Sequence, residues 1–164
     1  MSAHMHLYVD ASYDGSVYSG IGGILYDSLG NVLSFFSETI SDSLVRLIKC
    51  DGQVTIIQEL EMLALLAAVE TWRHMLSGFR VVAFTDSEAV RGSFLKTWTH
   101  NRPNHNILAR IFELEESHNF PLWLERVPSQ SNPADSLSRE NLKCTRVEPT
   151  DLWKSSVPSL MNRD

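Results

Sequence analysis

Between Met62 and Val69 every residue is apolar, in the order Met-Leu-Ala-Leu-Leu-Ala-Ala-Val. A helix turns about every 3.6 residues, so such a run leaves no polar face and must be buried on more than one side. The run of eight residues falls far short of the ~18 that a membrane span needs. The segment is therefore predicted as the central helix of a globular core. Thr55-x-x-Gln58 just ahead of it has the form of a capping box, with Thr55 as N-cap, and the helical pattern runs to about Met75. Composition supports a packed domain: 43% of the residues are hydrophobic and 21% charged, which excludes a disordered tail or a low-complexity linker. A chain of 164 residues matches one domain of the usual ~100–200 residues.

Around that helix the pattern alternates between hairpins and crossover units. Leu7 to Tyr13 has period two and reads as a strand; Asp14-Gly15 then marks a turn into a second strand through Tyr26. Leu29-Gly30-Asn31 turns into a third strand, Val32 to Ile40. After the long helix, Phe79 to Thr85 is β-rich, Ser87 to about Trp98 and Ile107 to His118 are helical, and Leu122 to Val127 is a last strand. Asn132-Pro133-Ala134-Asp135 reads as a helix start with Asn as N-cap and Pro at the first helical position. The order β-β-β-α-β-α-α-β-α predicts an α/β fold, a mixed five-stranded sheet with helices on its faces.

Four carboxylates stand out. Glu61 has Ile57, Ala64, Leu65 and Ala68 as helical neighbours and no Lys or Arg three or four residues away. It lies roughly 180° around the helix from Glu70, whereas Glu59 and Glu70 share a polar face with Arg73. A lone carboxylate on an apolar face is protonated, paired in three dimensions, or bound to a metal. Asp10 sits inside a strand, where Asp is disfavoured, on a face with Tyr8 and Ser12; a solvated sheet face would also accommodate it. Asp86 closes one strand and opens a helix, so it is either an N-cap or a residue at the strand end where α/β sheets place their sites. Asp135 would reciprocate the Asn132 cap.

Taken in order, these residues resemble the ribonuclease H family. The resembling segments are Val9-Asp10-Ala11-Ser12, Glu61-Met62-Leu63-Ala64, Thr85-Asp86-Ser87-Glu88-Ala89-Val90 and Asn132-Pro133-Ala134-Asp135-Ser136-Leu137-Ser138-Arg139. The last is most similar to ribonuclease H domains that follow reverse transcriptase in retrotransposon polyproteins. The resemblance implies a ribonuclease H-like fold and an endonuclease that hydrolyses the RNA strand of RNA–DNA hybrids, leaving a 5′-phosphate and a 3′-hydroxyl. It implies two Mg²⁺ (or Mn²⁺) ions, with Asp10 bridging both, Glu61 and Asp86 completing one site and Asp135 helping to hold the other. Hard oxygen ligands suit these ions, which in such pairs stand about 3.5–4 Å apart. It also implies substrate contacts at Ser12, Gln58, Asn132 and Arg139, although Gln58 is equally the capping-box residue. Two departures from the family pattern are visible. The loop Arg126 to Ser131 holds none of the six histidines, where many members carry one, and Lys96 to Arg102 runs into Pro103 without a basic, Trp-rich insertion. A non-catalytic scaffold or binding module of the same fold is the alternative; such domains usually lose a carboxylate, and here all four are present. Junction resolvases and transposase cores differ in carboxylate spacing.

The net charge of −6 is the wrong sign for holding nucleic acid by bulk electrostatics, but bound cations can supply positive charge where a phosphate must sit. Cys50 and Cys144 form no CxxC motif and favour a reducing, intracellular compartment, cytoplasmic or nuclear; no secretory leader or membrane span is visible. Met1 to Met5 resembles a cloning scar, residues 6–140 read as the catalytic domain, and 141–164, with Trp153 between Pro149 and Pro158, as a tail or linker. An upstream reverse transcriptase domain is the expected covalent partner.

Overall fold

A computed structural model describes residues 3–15, 17–49, 52–96 and 102–139. Both cysteines, the tail 141–164 and most of the segment between Lys96 and Arg102 lie outside the described residues. Five strands, β1 (His4–Asp14), β2 (Tyr18–Tyr26), β3 (Val32–Thr39), β4 (Arg80–Thr85) and β5 (Leu122–Arg126), form one sheet in the order β3-β2-β1-β4-β5. The hairpin strands β1, β2 and β3 pair antiparallel, while β4 joins β1, and β5 joins β4, in parallel. This is the α/β fold with a mixed five-stranded sheet that the element order predicts, in the ribonuclease H-like form that the resemblance implies. β1 begins at His4, inside the stretch that resembles a cloning scar, and Met5 is buried.

The helices are α1 (Asp42–Ile48), α2 (Ile57–Leu76), α3 (Glu88–Lys96) and α4 (Arg102–His118). α2 is buried all round from Glu59 to Glu70, packed against β1 and β2 on one side and α4 on another. Leu7, Val9, Ile21 and Leu25 project from the sheet into this core with no exposure. Burying each such side chain contributes about 1.5–3 kcal/mol.

Three sequence expectations are corrected. α1 is an additional helix between β3 and α2, capped by Ser41, whose hydroxyl accepts from the Leu44 N–H. The capping box does not form: α2 starts one residue later, with Ile56 at the N-cap position and no side-chain cap. Thr55 Oγ1 instead accepts from the Ile57 N–H in a local turn, and Gln58 is exposed. After β5 the Asn132 segment does not open an α-helix among the described residues. It makes 3-10 turns at Ser129–Ser131 and Ser136–Ser138, because Asn132 Oδ1 bonds the nearby Ala134 N–H and closes a tight turn.

Candidate active site

The parallel pairing of β1 and β4 assembles the site. Tyr8 stands opposite Phe84, so two residues further along each strand Asp10 and Asp86 come side by side at the same end of the sheet. Glu61, on the second turn of α2, completes the group. One carboxylate oxygen from each of Asp10, Glu61 and Asp86 lies within 4.8 Å of the others.

The electrostatics of this cluster are unfavourable by themselves. Asp10 is 3% exposed, not solvated, because the 3-10 turn at Ser136–Ser138 covers its face of the sheet. Burial pushes its carboxyl from 3.8 up to about 7; the Ser138 hydroxyl, donating at 2.8 Å, opposes that rise, and the Asp86 charge adds to it. Burial likewise raises the Glu61 carboxyl well above its usual range, with the negative charges of Asp10 and Asp86 reinforcing the effect. Glu61 accepts from the Ala11 N–H, yet its Oε2 is buried with no hydrogen-bond partner among the described residues. Asp86 has no capping duty: Ser87 Oγ accepts from the Val90 N–H and caps α3.

Asp135 stands apart from the triad. It is close enough to raise the Asp10 pKa, but it is 41% exposed and pairs with Arg139 at 3.2 Å. Arg139 is itself mostly exposed. Ser12 donates to the Ser138 carbonyl. Asn132 is buried, donating to the Val9 carbonyl at 2.9 Å and accepting from the Ala134 N–H. Among the four residues read as substrate contacts, Gln58 and Arg139 are thus exposed, while the side chains of Ser12 and Asn132 are engaged inside the fold. Ser138, which touches Asp10 directly, was not singled out from the sequence. A serine three residues after the last carboxylate carries no local signal, because its partner is 128 positions away in the chain.

Not every acid on α2 belongs to the cluster. Glu59 and Glu70 do not lie on a solvated face as the helical pattern suggests; both are buried. Gln53 donates to Glu59 at 2.7 Å, and Arg110 of α4 donates to Glu70 at 2.8 Å.

The sequence matches, over residues 1–115, the model of a family described as the RNase H-like domain found in reverse transcriptase. The chain belongs to that family. The match includes Asp10, Glu61 and Asp86 and stops short of Asp135. Solved structures share the fold of this RNase H-like domain at low identity. RNase H1 from the halophilic archaeon Halobacterium salinarum NRC-1 is 22% identical over 82% of this chain and 93% of its own, with a TM-score of 0.65. LC11-RNase H1, solved with an RNA/DNA hybrid, is 21% identical over 81% of this chain and 92% of its own, with a TM-score of 0.63. The foamy viral protease–reverse transcriptase, also solved with an RNA/DNA hybrid, is 16% identical over 83% of this chain but only 19% of its own, with a TM-score of 0.54. No curated protein matches the sequence significantly. Fold, family and clustered acids together support metal-dependent nuclease activity. Among the described residues no helix is long and apolar enough to cross a membrane.

Proposed function

We propose that this RNase H-like domain hydrolyses the RNA strand of RNA–DNA hybrids, using two divalent ions. The observation that carries the reading is Glu61 Oε2: a buried, unpartnered carboxylate oxygen beside two further carboxylates. Such a group is costly unless a proton or a cation completes it, and beside two further carboxylates a cation relieves all three at once. The donors are all hard oxygens, which suit Mg²⁺ or Mn²⁺ and not a softer metal. Asp10, Glu61 and Asp86 would hold the cation, and Asp135 would help to hold a second. When bound, divalent ions activate water and relieve charge on the departing oxygen. The chain's own contribution is to hold the three carboxylates convergent at the end of the sheet, Asp10 and Glu61 buried and Asp86 half-buried. Gln58 and Arg139, both exposed, are available to a nucleic-acid backbone or groove. The hybrid as substrate is supported by the structural relatives solved with one. We read residues 6–140 as one unit of a retroelement polyprotein beside a reverse transcriptase domain, and the family match over residues 1–115 supports the link to reverse transcriptase.

The test is cleavage of labelled RNA presented in a hybrid, in duplex RNA and as a single strand, alongside duplex DNA, with Mg²⁺, Mn²⁺ or EDTA. Hybrid-selective internal cuts that vanish in EDTA are expected. Equal cutting of hybrid and duplex DNA, or full activity in EDTA, overturns the reading. A folded chain that binds ions but cuts nothing points instead to a scaffold role.

A further inference from the structure

Ser138 is fully buried, and its hydroxyl donates to Asp10 Oδ2 at 2.8 Å. We propose that Ser138 is a positioning residue, fixing the rotation of the Asp10 carboxylate so that it is poised toward Glu61 and Asp86 before any cation arrives. The inference rests on the metal-dependent reading above and concerns one residue of that site. Between ionised carboxylates repulsion favours turning Asp10 away, and among the described residues the Ser138 hydroxyl is the non-acidic side-chain donor that opposes it. A hydroxyl donated to a carboxylate is a charge-assisted bond, stronger than one between neutral groups.

The strands around Asp10 are shaped to deliver that hydroxyl. Ser12 in β1 donates to the Ser138 carbonyl, and Ser37 in β3 donates to the Leu137 carbonyl. Asn132 donates to the carbonyl of Val9, the residue before Asp10. In β2, Gly22 is the cross-strand partner of Asp10, and a Cβ there would stand 2.6 Å from the Leu137 carbonyl carbon and 2.8 Å from the Ser138 nitrogen. The missing side chain at Gly22 is what lets the turn close onto the sheet. Three adjacent strands thus dock one short turn, and its only side chain bonded to the acid cluster is the Ser138 hydroxyl among the described residues. The same hydroxyl lies 2.9 Å from the Asp135 carbonyl, a second acceptor that shares its single proton with Asp10.

The full chain is compared with Ser138→Ala, Ser138→Cys and Ser37→Ala. Mn²⁺ affinity is read by calorimetry, melting in EDTA, and hybrid cleavage across a Mg²⁺ series. Ser138→Ala should weaken Mn²⁺ binding about tenfold, as loss of a group that orients a metal ligand does. It should raise the Mg²⁺ midpoint of cleavage by the same factor and leave KM for the hybrid within about twofold. Ser138→Cys, which fills the space with a weaker donor, should fall between. Ser37→Ala loosens the turn but keeps the Ser138 hydroxyl, so it should lower the melting temperature and weaken Mn²⁺ binding by clearly less than Ser138→Ala does. Unchanged Mn²⁺ affinity in Ser138→Ala, or an equal loss in Ser37→Ala, overturns the positioning role and leaves the metal site standing. A wild-type chain that binds no Mn²⁺ overturns the metal reading, and the positioning role falls with it.

Discussion

Glu61 and Glu70 lie on the same helix and are buried to nearly the same depth, 5% and 3% exposed, yet they live in opposite surroundings. Glu70 accepts a 2.8 Å bond from Arg110 and has Arg73 at 3.8 Å. Glu61 faces Asp10 and Asp86, takes one backbone bond and keeps one oxygen without a partner. Burial therefore does not mark the site. What marks it is a buried charge whose neighbours carry the same sign. Glu70 is a structural ion pair joining α2 to α4; Glu61 has no such cation beside it and belongs to a cluster that could coordinate one.

The largest effect expected from this contrast is at Glu61. Glu61→Gln should lower metal-dependent cleavage about a thousandfold, the scale on which one preorganised electrostatic group acts. The same change should raise the melting temperature in EDTA, because it removes a carboxyl whose ionisation burial and the neighbouring acids oppose. Gel cleavage and thermal melting on one preparation check both, and a variant that is active or less stable without metal breaks the contrast. Next comes the opposite behaviour at Glu70. Glu70→Ala should cost about 2 kcal/mol of stability, less than a fully buried pair, because Arg110 and Arg73 both reach water. Denaturant unfolding measures that loss, while cleavage per folded molecule stays at the wild-type level.

A third, smaller effect is pH-dependent. The Asp10 carboxyl is raised to about 7, so the folded chain binds that proton more tightly than the unfolded chain does. Its stabilising contribution is complete below pH ~4 and is lost as the pH rises through about 7. Metal-free wild type should therefore lose stability relative to Asp10→Asn over that interval, the variant melting a few degrees higher near pH ~7.5. Saturating Mg²⁺ should close the gap by stabilising only the wild type. A pH-independent difference would show that Asp10 is not under the burial and repulsion described. The smallest effect belongs to Glu59→Gln. Its partner is the Gln53 amide, and an amide can replace the carboxylate as acceptor, so the change should stay within about 1 kcal/mol and spare cleavage.

Much of this molecule is legible in its sequence because the signals are local. Period-two alternation places β1, the all-round apolar run places α2 in the core, and the i±3 and i±4 neighbours of Glu61 show that its own helix offers it no partner. The element order and the sequence of carboxylates follow from the same reading, and with them the family. The elements that escape are those whose cause is not local. α1 is short and follows a strand directly, so its pattern is too brief to register. The Asn132 segment has every mark of a helix start, but its amide is anchored to β1 at Val9 and the chain turns tightly there.

The site divides along the same line. Where the acids stand along the chain, and that Glu61 lacks a helical partner, depends on spacing along one chain segment and is determined by sequence alone. That Asp10 is buried, that Glu59 and Glu70 are paired, and that Ser12 and Asn132 bond within the fold depends on which segments meet in space. The bond from Ser138 to Asp10 joins residues 128 positions apart, and Arg110 reaches Glu70 across 40. Helical and strand periodicity repeat within a few residues and report only a segment's own face. Pairing across such distances is decided by how the sheet orders its strands and what packs upon it, and so only the tertiary structure separates the acid whose cluster could coordinate a cation from the acid already paired with one.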